Sequence, residues 1–109
     1  MKRGDLVTVA LQGEHGKPRP ALVIQSDLFA QLTSTVTVAL LTSTQVDAPL
    51  LRVPIEPSRM NGLRQPSYVM IDQIFSARTR RIGDVFGHLS DADLVAVNRA
   101  LAVFVGITA

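Results

Sequence analysis

Apolar and polar residues alternate from Leu6 to Leu11, with Val7, Val9 and Leu11 set against Thr8 and Ala10, and this period of two predicts a strand with one buried face. The polar residues from Gln12 to Pro18 read as a loop. Ala21 to Gln25 and Thr35 to Thr42 are dense in Val, Leu, Ile and Thr, which suits a pleated surface better than a short helix and predicts a second and a third strand. Asp27 to Ser34, between them, has room for a turn of helix. Leu50 to Ile55 predicts a fourth strand ended by Pro57, and Pro54, having no N–H to donate, confines it to an edge or a bulge. Asn61-Gly62 signals a turn, and Ser67 to Phe75 predicts a fifth strand carrying the isolated acid Asp72.

The periodicity then changes. Ser90 followed by Asp93 resembles a capping box, and Asp91 and Asp93 suit the positive end of a helix. Leu94, Val97, Leu101 and Phe104 or Val105 recur at helical spacing, and Gly106 suits the C-terminal end. Ala96, Ala100, Ala102 and Val103 leave few polar positions elsewhere on that helix. Such a helix either packs flat on its own sheet or is covered by a second copy of the chain; both readings stand at this point. The expected fold is mainly β (α+β), mostly antiparallel, with a terminal helix.

At 109 residues the chain is expected to form one domain, residues 1–109. The formal net charge is +2 and the isoelectric point about 9.7, and the cations bunch at Lys2-Arg3, Lys17 to Arg19 and Arg78-Arg80-Arg81. That pattern leans towards a polyanionic partner, although a basic surface also serves solubility. The absence of cysteine excludes disulfides, thiolate metal sites and a cysteine nucleophile. His15 and His88 are the only histidines and neither has an acidic cluster beside it, so no metal site is expected. Met1-Lys2-Arg3 imitates the start of an export signal, but Asp5, Thr8 and Ala10 interrupt any apolar core, and no apolar run reaches spanning length. The expectation is a cytoplasmic protein that does not enter a membrane. Arg3-Gly4-Asp5 reads as a turn into the first strand rather than an adhesion tripeptide.

One junction stands out chemically. In Gly16 to Gln25 a basic, proline-stiffened loop runs directly into an apolar strand, and Pro20 biases Arg19 towards an extended conformation at the strand entrance. A guanidinium held there is a candidate for binding phosphate, since its planar donors match phosphate oxygens. The plain alternative is a solvated loop arginine.

Lys2 to Val7, Arg19 to Ile24, Val38 to Ser43, Asn61-Gly62-Leu63 and Asp72-Gln73-Ile74, in this order and spacing, resemble the MazF/PemK/Kid ribonuclease toxins. Ile82-Gly83 to Leu89-Ser90 and the helix to Val105-Gly106-Ile107 extend the resemblance over nearly the whole chain. It implies a small SH3-like β-barrel of about five to seven strands with a C-terminal helix. It also implies a homodimer that cuts single-stranded RNA, usually messenger RNA, with no metal or other cofactor, leaving a 2′,3′-cyclic phosphate and a 5′-hydroxyl. The implied partner is an antitoxin protein that occupies the cleft.

By this resemblance Arg19 holds the catalytic arginine position and Thr42 that of a threonine bonded to the scissile phosphate. Thr42 reads otherwise as a strand-end residue that bonds locally. Asp72 corresponds to an aspartate proposed as base in the Kid-like members, which place an arginine two positions earlier; here that position is Met70, so Asp72 is either auxiliary or structural. His15 lies near where some relatives carry a histidine or glutamate that assists chemistry, with Glu14 beside it, and a loop histidine is otherwise simply exposed. Lys17, Ser43, Arg64 and Gln73 are candidates for holding RNA rather than cutting it. Tyr68 and the phenylalanines are too few for a broad stacking platform, so loop hydrogen bonds are expected to set sequence choice. The Arg78-Arg80-Arg81 cluster reads as an extension of the RNA track, a contact for an acidic antitoxin segment, or a solvated rim. Two rival functions share this architecture. One is a CcdB-like gyrase poison, against which the lack of an aromatic residue in Val105 to Ala109 counts. The other is a noncatalytic SH3-like RNA-binding module.

Overall fold

The structure is a computed structural model and describes residues 1–11, 13 and 17–109. Six strands, β1 (Asp5–Val9), β2 (Arg19–Val23), β3 (Thr35–Thr42), β4 (Arg52–Ile55), β5 (Ser67–Arg78) and β6 (Ile82–His88), precede one helix, α1 (Asp91–Phe104). Asp27–Phe29 supplies the anticipated turn of helix, as a 3-10 turn. The strands form one antiparallel sheet in the order β4-β5-β3-β2-β1-β6. Its two outer strands do not pair with each other among the described residues, so the sheet is open where the sequence suggested a barrel. Pro54 accounts for one edge: β4 has a single partner, β5, and needs no donor on its other side.

Both faces of the sheet are apolar. Leu6, Leu22, Leu41, Val69 and Ile71 form a core on one face together with Leu89 and Val97. Val7, Val9, Ala21, Val38 and Leu40 form a core on the other. Phe75 of β5, opposite Val38, and Ile82 of β6, opposite Val9, extend that second core along the sheet, so the middle strands are covered on both faces. This is why Val38 to Leu41 are buried without alternation. The bend is located in β5. Ala39 faces Ile74 and Leu41 faces Val69, so two steps along β3 correspond to five along β5, and the surplus residues kink the long strand.

β6 escaped the sequence reading because Gly83 and Gly87 break its pattern and most of its side chains are half-buried or exposed. Gly87 is required by close approach: a Cβ there would collide with the backbone of Asn61. The helix begins as anticipated, with the Ser90 hydroxyl accepting from the Asp93 N–H at 3.2 Å. It packs against β4 and β5, burying Val97 fully and Leu94, Ala100 and Leu101 in part. Its outer side and end leave Val95, Val103, Phe104, Val105 and Ile107 exposed. No helix among the described residues is long and apolar enough to cross a membrane.

Candidate active site

The register of the sheet assembles the site. Ala21 faces Leu40 at the end of the β2–β3 ladder, and Arg19 and Thr42, each two residues further along its strand, line one cleft. Thr42 in turn faces Tyr68 on β5, and Tyr68 faces Pro54 on β4. Thr42, Tyr68 and Pro54 therefore form one row on one face, with adjacent side-chain roots about 5 Å apart. At the end of this row is a cleft of about 360 Å³ lined by Arg19, Thr42, Ser43, Leu63, Arg64 and Ser67. The two residues singled out for phosphate chemistry thus meet, with two further candidates, Ser43 and Arg64, on the same cleft wall. Arg19 is half-buried there, which removes the plain reading of a loop arginine standing in water.

The Thr42 hydroxyl accepts from the Thr44 N–H at 3.1 Å, so the expected local bond is present. It does not compete with a role in the cleft. The oxygen is oriented by that N–H, and the hydroxyl proton makes no hydrogen bond among the described residues.

Arg64 is carried by a loop whose rigidity comes from a residue read only as half of a turn signal. The Asn61 side chain is buried, 2% exposed. Its Oδ1 accepts from the Ser58 N–H at 2.9 Å and the Leu63 N–H at 3.0 Å, and its Nδ2 donates to the Glu56 carbonyl at 2.8 Å. The Ser58 hydroxyl accepts from the Asn61 N–H at 3.1 Å, and the His88 N–H bonds the Met60 carbonyl at 2.9 Å, tying the loop to β6. Gly62 follows in the left-handed region at φ +67, as a turn demands. The signal for this role was in the sequence: a short amide side chain beside a serine three residues earlier satisfies local backbone groups.

The remaining candidates are placed differently. Lys17 is exposed two residues before Arg19 and does not line the cleft. His15 and Glu14 lie outside the described residues. Asp72 and Gln73 sit in the irregular stretch of β5 and are not part of the cleft wall; Gln73 is exposed. Asp72 is bound instead to Arg52, whose Nη1 donates to Oδ1 at 2.6 Å and to the Leu51 carbonyl at 2.9 Å. Arg52 stands directly opposite Met70 on the neighbouring strand. A guanidinium therefore does reach Asp72, but from β4 rather than from two positions earlier on β5. The arginines 78, 80 and 81 surround a separate cavity of about 750 Å³ at the end of β3 remote from Thr42, where Arg78 faces Thr35. Among the described residues no three His, Cys, Asp or Glu side chains are grouped so as to hold a metal ion.

Residues 2–105 match the family model of the PemK-like, MazF-like toxin of type II toxin-antitoxin systems. The chain is 44% identical over 108 residues to a probable endoribonuclease MazF of Mycolicibacterium smegmatis, covering 98% of each. It is 31% identical over 108 residues to the endoribonuclease EndoA of Bacillus subtilis, covering 94% of this chain and 92% of that one. A solved mycobacterial endoribonuclease in complex with its cognate antitoxin superposes with a TM-score of 0.84 at 26% identity, covering 100% of this chain and 98% of that one. A cleft lined by an arginine and a threonine, on an antiparallel sheet backed by a C-terminal helix, is thus found in a chain that belongs to the PemK-like, MazF-like toxin family.

Proposed function

We propose that this protein is the toxin of a type II toxin–antitoxin pair and acts as an endoribonuclease on single-stranded messenger RNA in the cytoplasm, blocking translation. The observation that carries the reading is that Arg19 and Thr42 line one open cleft. RNA supplies its own nucleophile. The 2′-oxygen attacks the adjacent phosphorus as its proton leaves, the P–O5′ bond breaks, and the 5′-oxygen takes up a proton. The products are a 2′,3′-cyclic phosphate and a 5′-hydroxyl, with no atom gained or lost. Negative charge accumulates on the non-bridging oxygens of the five-coordinate phosphorus. Arg19 opposes that charge with fixed N–H donors, and Thr42, its oxygen oriented by the Thr44 N–H, donates its hydroxyl proton to one of those oxygens. Arg64 and Ser43 hold the strand across the cleft mouth, with Lys17 contributing charge at the approach and Gln73 further along β5.

Proton transfer falls to groups other than arginine, which does not deprotonate near neutrality. We assign His15, in the loop that leads into β2, to this step, because imidazole exchanges protons near neutral pH. Asp72 is assigned a supporting role, since its carboxylate is bound to Arg52 and does not line the cleft. The gyrase-poison reading gives no reason for Arg19 and Thr42 to share a cleft, and the noncatalytic reading is separated by whether RNA is cut.

The whole chain, 1–109, works as one toxin domain, and two copies form a homodimer that covers apolar side chains such as Val103, Phe104 and Ile107. The antitoxin is an acidic, partly apolar segment that occupies the cleft and competes with RNA for the same cations. The test is incubation of the purified protein with mixed-sequence RNA in EDTA. Fragments ending in 2′,3′-cyclic phosphate are expected, and Arg19→Ala should slow their appearance by about 100-fold or more, the scale of losing a transition-state donor. Intact RNA, or full activity in Arg19→Ala, overturns the reading.

A further inference from the structure

Beside the cleft lies a second cavity, of about 450 Å³, walled by Gln45, Asp47, Pro49, Arg52, Pro54 and Tyr68. We propose that it is a nucleobase subsite, which receives the base next to the scissile phosphate and prefers one bearing both an amino group and a carbonyl, that is guanine or cytosine. The proposal rests on the ribonuclease reading for the position of the phosphate.

Two chain segments join this cavity to the cleft. Ser67 lines the cleft and the next residue, Tyr68, lines the cavity; Thr42 and Ser43 line the cleft, and the same loop delivers Gln45 and Asp47 to the cavity. Thr42 and Tyr68 also face each other across the β3–β5 ladder, about 5 Å apart at their roots. A phosphate bound between Arg19 and Thr42 therefore has a neighbouring base within one nucleotide of the Tyr68 ring.

The walls suit a base and not a second phosphate. The half-buried ring of Tyr68 and the flat sides of Pro49 and Pro54 offer apolar surface to a planar ring. Asp47, exposed and without a partner among the described residues, repels a phosphate but accepts a hydrogen bond from an exocyclic amine. Arg52 turns Nη1 to Asp72 and Leu51, while its Nη2 makes no hydrogen bond among the described residues and can donate to a base carbonyl. The Asp72 ion pair then has a purpose: it fixes the guanidinium of the subsite. An acceptor beside a donor discriminates. Uracil lacks the amine and adenine lacks the carbonyl, whereas guanine and cytosine carry both.

The chain contains one tyrosine and no tryptophan, so its intrinsic fluorescence reports on Tyr68 alone. Titration with short single-stranded oligonucleotides that lack the attacking 2′-hydroxyl, and so cannot be cut, should quench that emission. Guanine or cytosine beside the scissile position should bind about tenfold more tightly than uracil or adenine, within the range of one well-made base contact. Asp47→Ala, in an exposed loop, removes the acceptor and should abolish that difference. Tyr68→Leu, which keeps an apolar side chain in the row, should flatten the preference at that one position when cleavage sites are sequenced from random RNA. Absence of quenching, or an unchanged cleavage preference in both variants, overturns the subsite while leaving the ribonuclease intact. Quenching with the expected base order in a protein that does not cut RNA would instead retain the subsite and refute the ribonuclease.

Discussion

Replacing Asn61 by alanine tests whether the loop bearing Arg64 is held by one buried amide. The side chain is 2% exposed and makes three hydrogen bonds, to the Ser58 N–H, the Leu63 N–H and the Glu56 carbonyl, at 2.8–3.0 Å. At about 1 kcal/mol for each bond lost to a buried partner, Asn61→Ala should destabilise the fold by about 3 kcal/mol. A domain stable by about 5–15 kcal/mol survives that loss, so the variant remains measurable. Urea unfolding followed by circular dichroism gives the change, and it should appear as a lower midpoint at an unchanged slope. Amide exchange at Ser58 and Leu63 should accelerate more than exchange in β3, because the lost partners are local. On the proposed role of Arg64 in holding the strand, cleavage should weaken mainly through KM. A loss under 1 kcal/mol for Asn61→Ala, with Ser58 and Leu63 still protected, would refute the assignment of this loop to Asn61.

Ser90→Ala removes the hydroxyl that accepts from the Asp93 N–H and should cost about 1 kcal/mol, read as a lower thermal midpoint with the helix otherwise intact. Gly87→Ala drives a Cβ into the Asn61 backbone and should destabilise by about 1–3 kcal/mol; wild-type stability would show that β6 and the Asn61 loop are not in close contact. Asp72→Asn keeps an oxygen for Arg52 and should reduce cleavage far less than the roughly 100-fold expected of Arg19→Ala; an equal loss would place Asp72 among the catalytic groups.

How much of this was legible in the sequence follows from how local each cause is. Thr35–Thr42 was predicted to the residue because both its ends are marked by a change from β-branched or apolar to short polar residues. The helix start at Ser90 and the edge position of β4 were legible for the same reason, each resting on one side chain's hydrogen-bonding capacity. β6 was not, since its stability comes from pairing with β1 over a glycine-rich path that has no pattern of its own. The Arg19–Thr42 pair lies between these cases. Each residue was placed at a strand end by local signals, but their meeting in one cleft depends on the pairing of β2 with β3, which came through family resemblance alone.

Asp72 shows most clearly where sequence spacing ceases to inform. Along β5, Met70 occupies the same-face position two residues before it, and a reading confined to that strand concludes that the carboxylate has lost its arginine. In the sheet, the neighbour of position 70 is position 52 on β4, so a guanidinium rooted there arrives beside the same carboxylate from the side. Met70 itself joins the second apolar core, while the Arg52 guanidinium turns to Asp72. The ion pair has thus been moved across the ladder rather than deleted. Moving it has a chemical consequence: Arg52 anchors on the short edge strand that walls the second cavity and not on the strand that enters the cleft. On the subsite proposal, a charge at position 52 meets the neighbouring base, whereas on the family resemblance an arginine at position 70 would stand with the reacting groups.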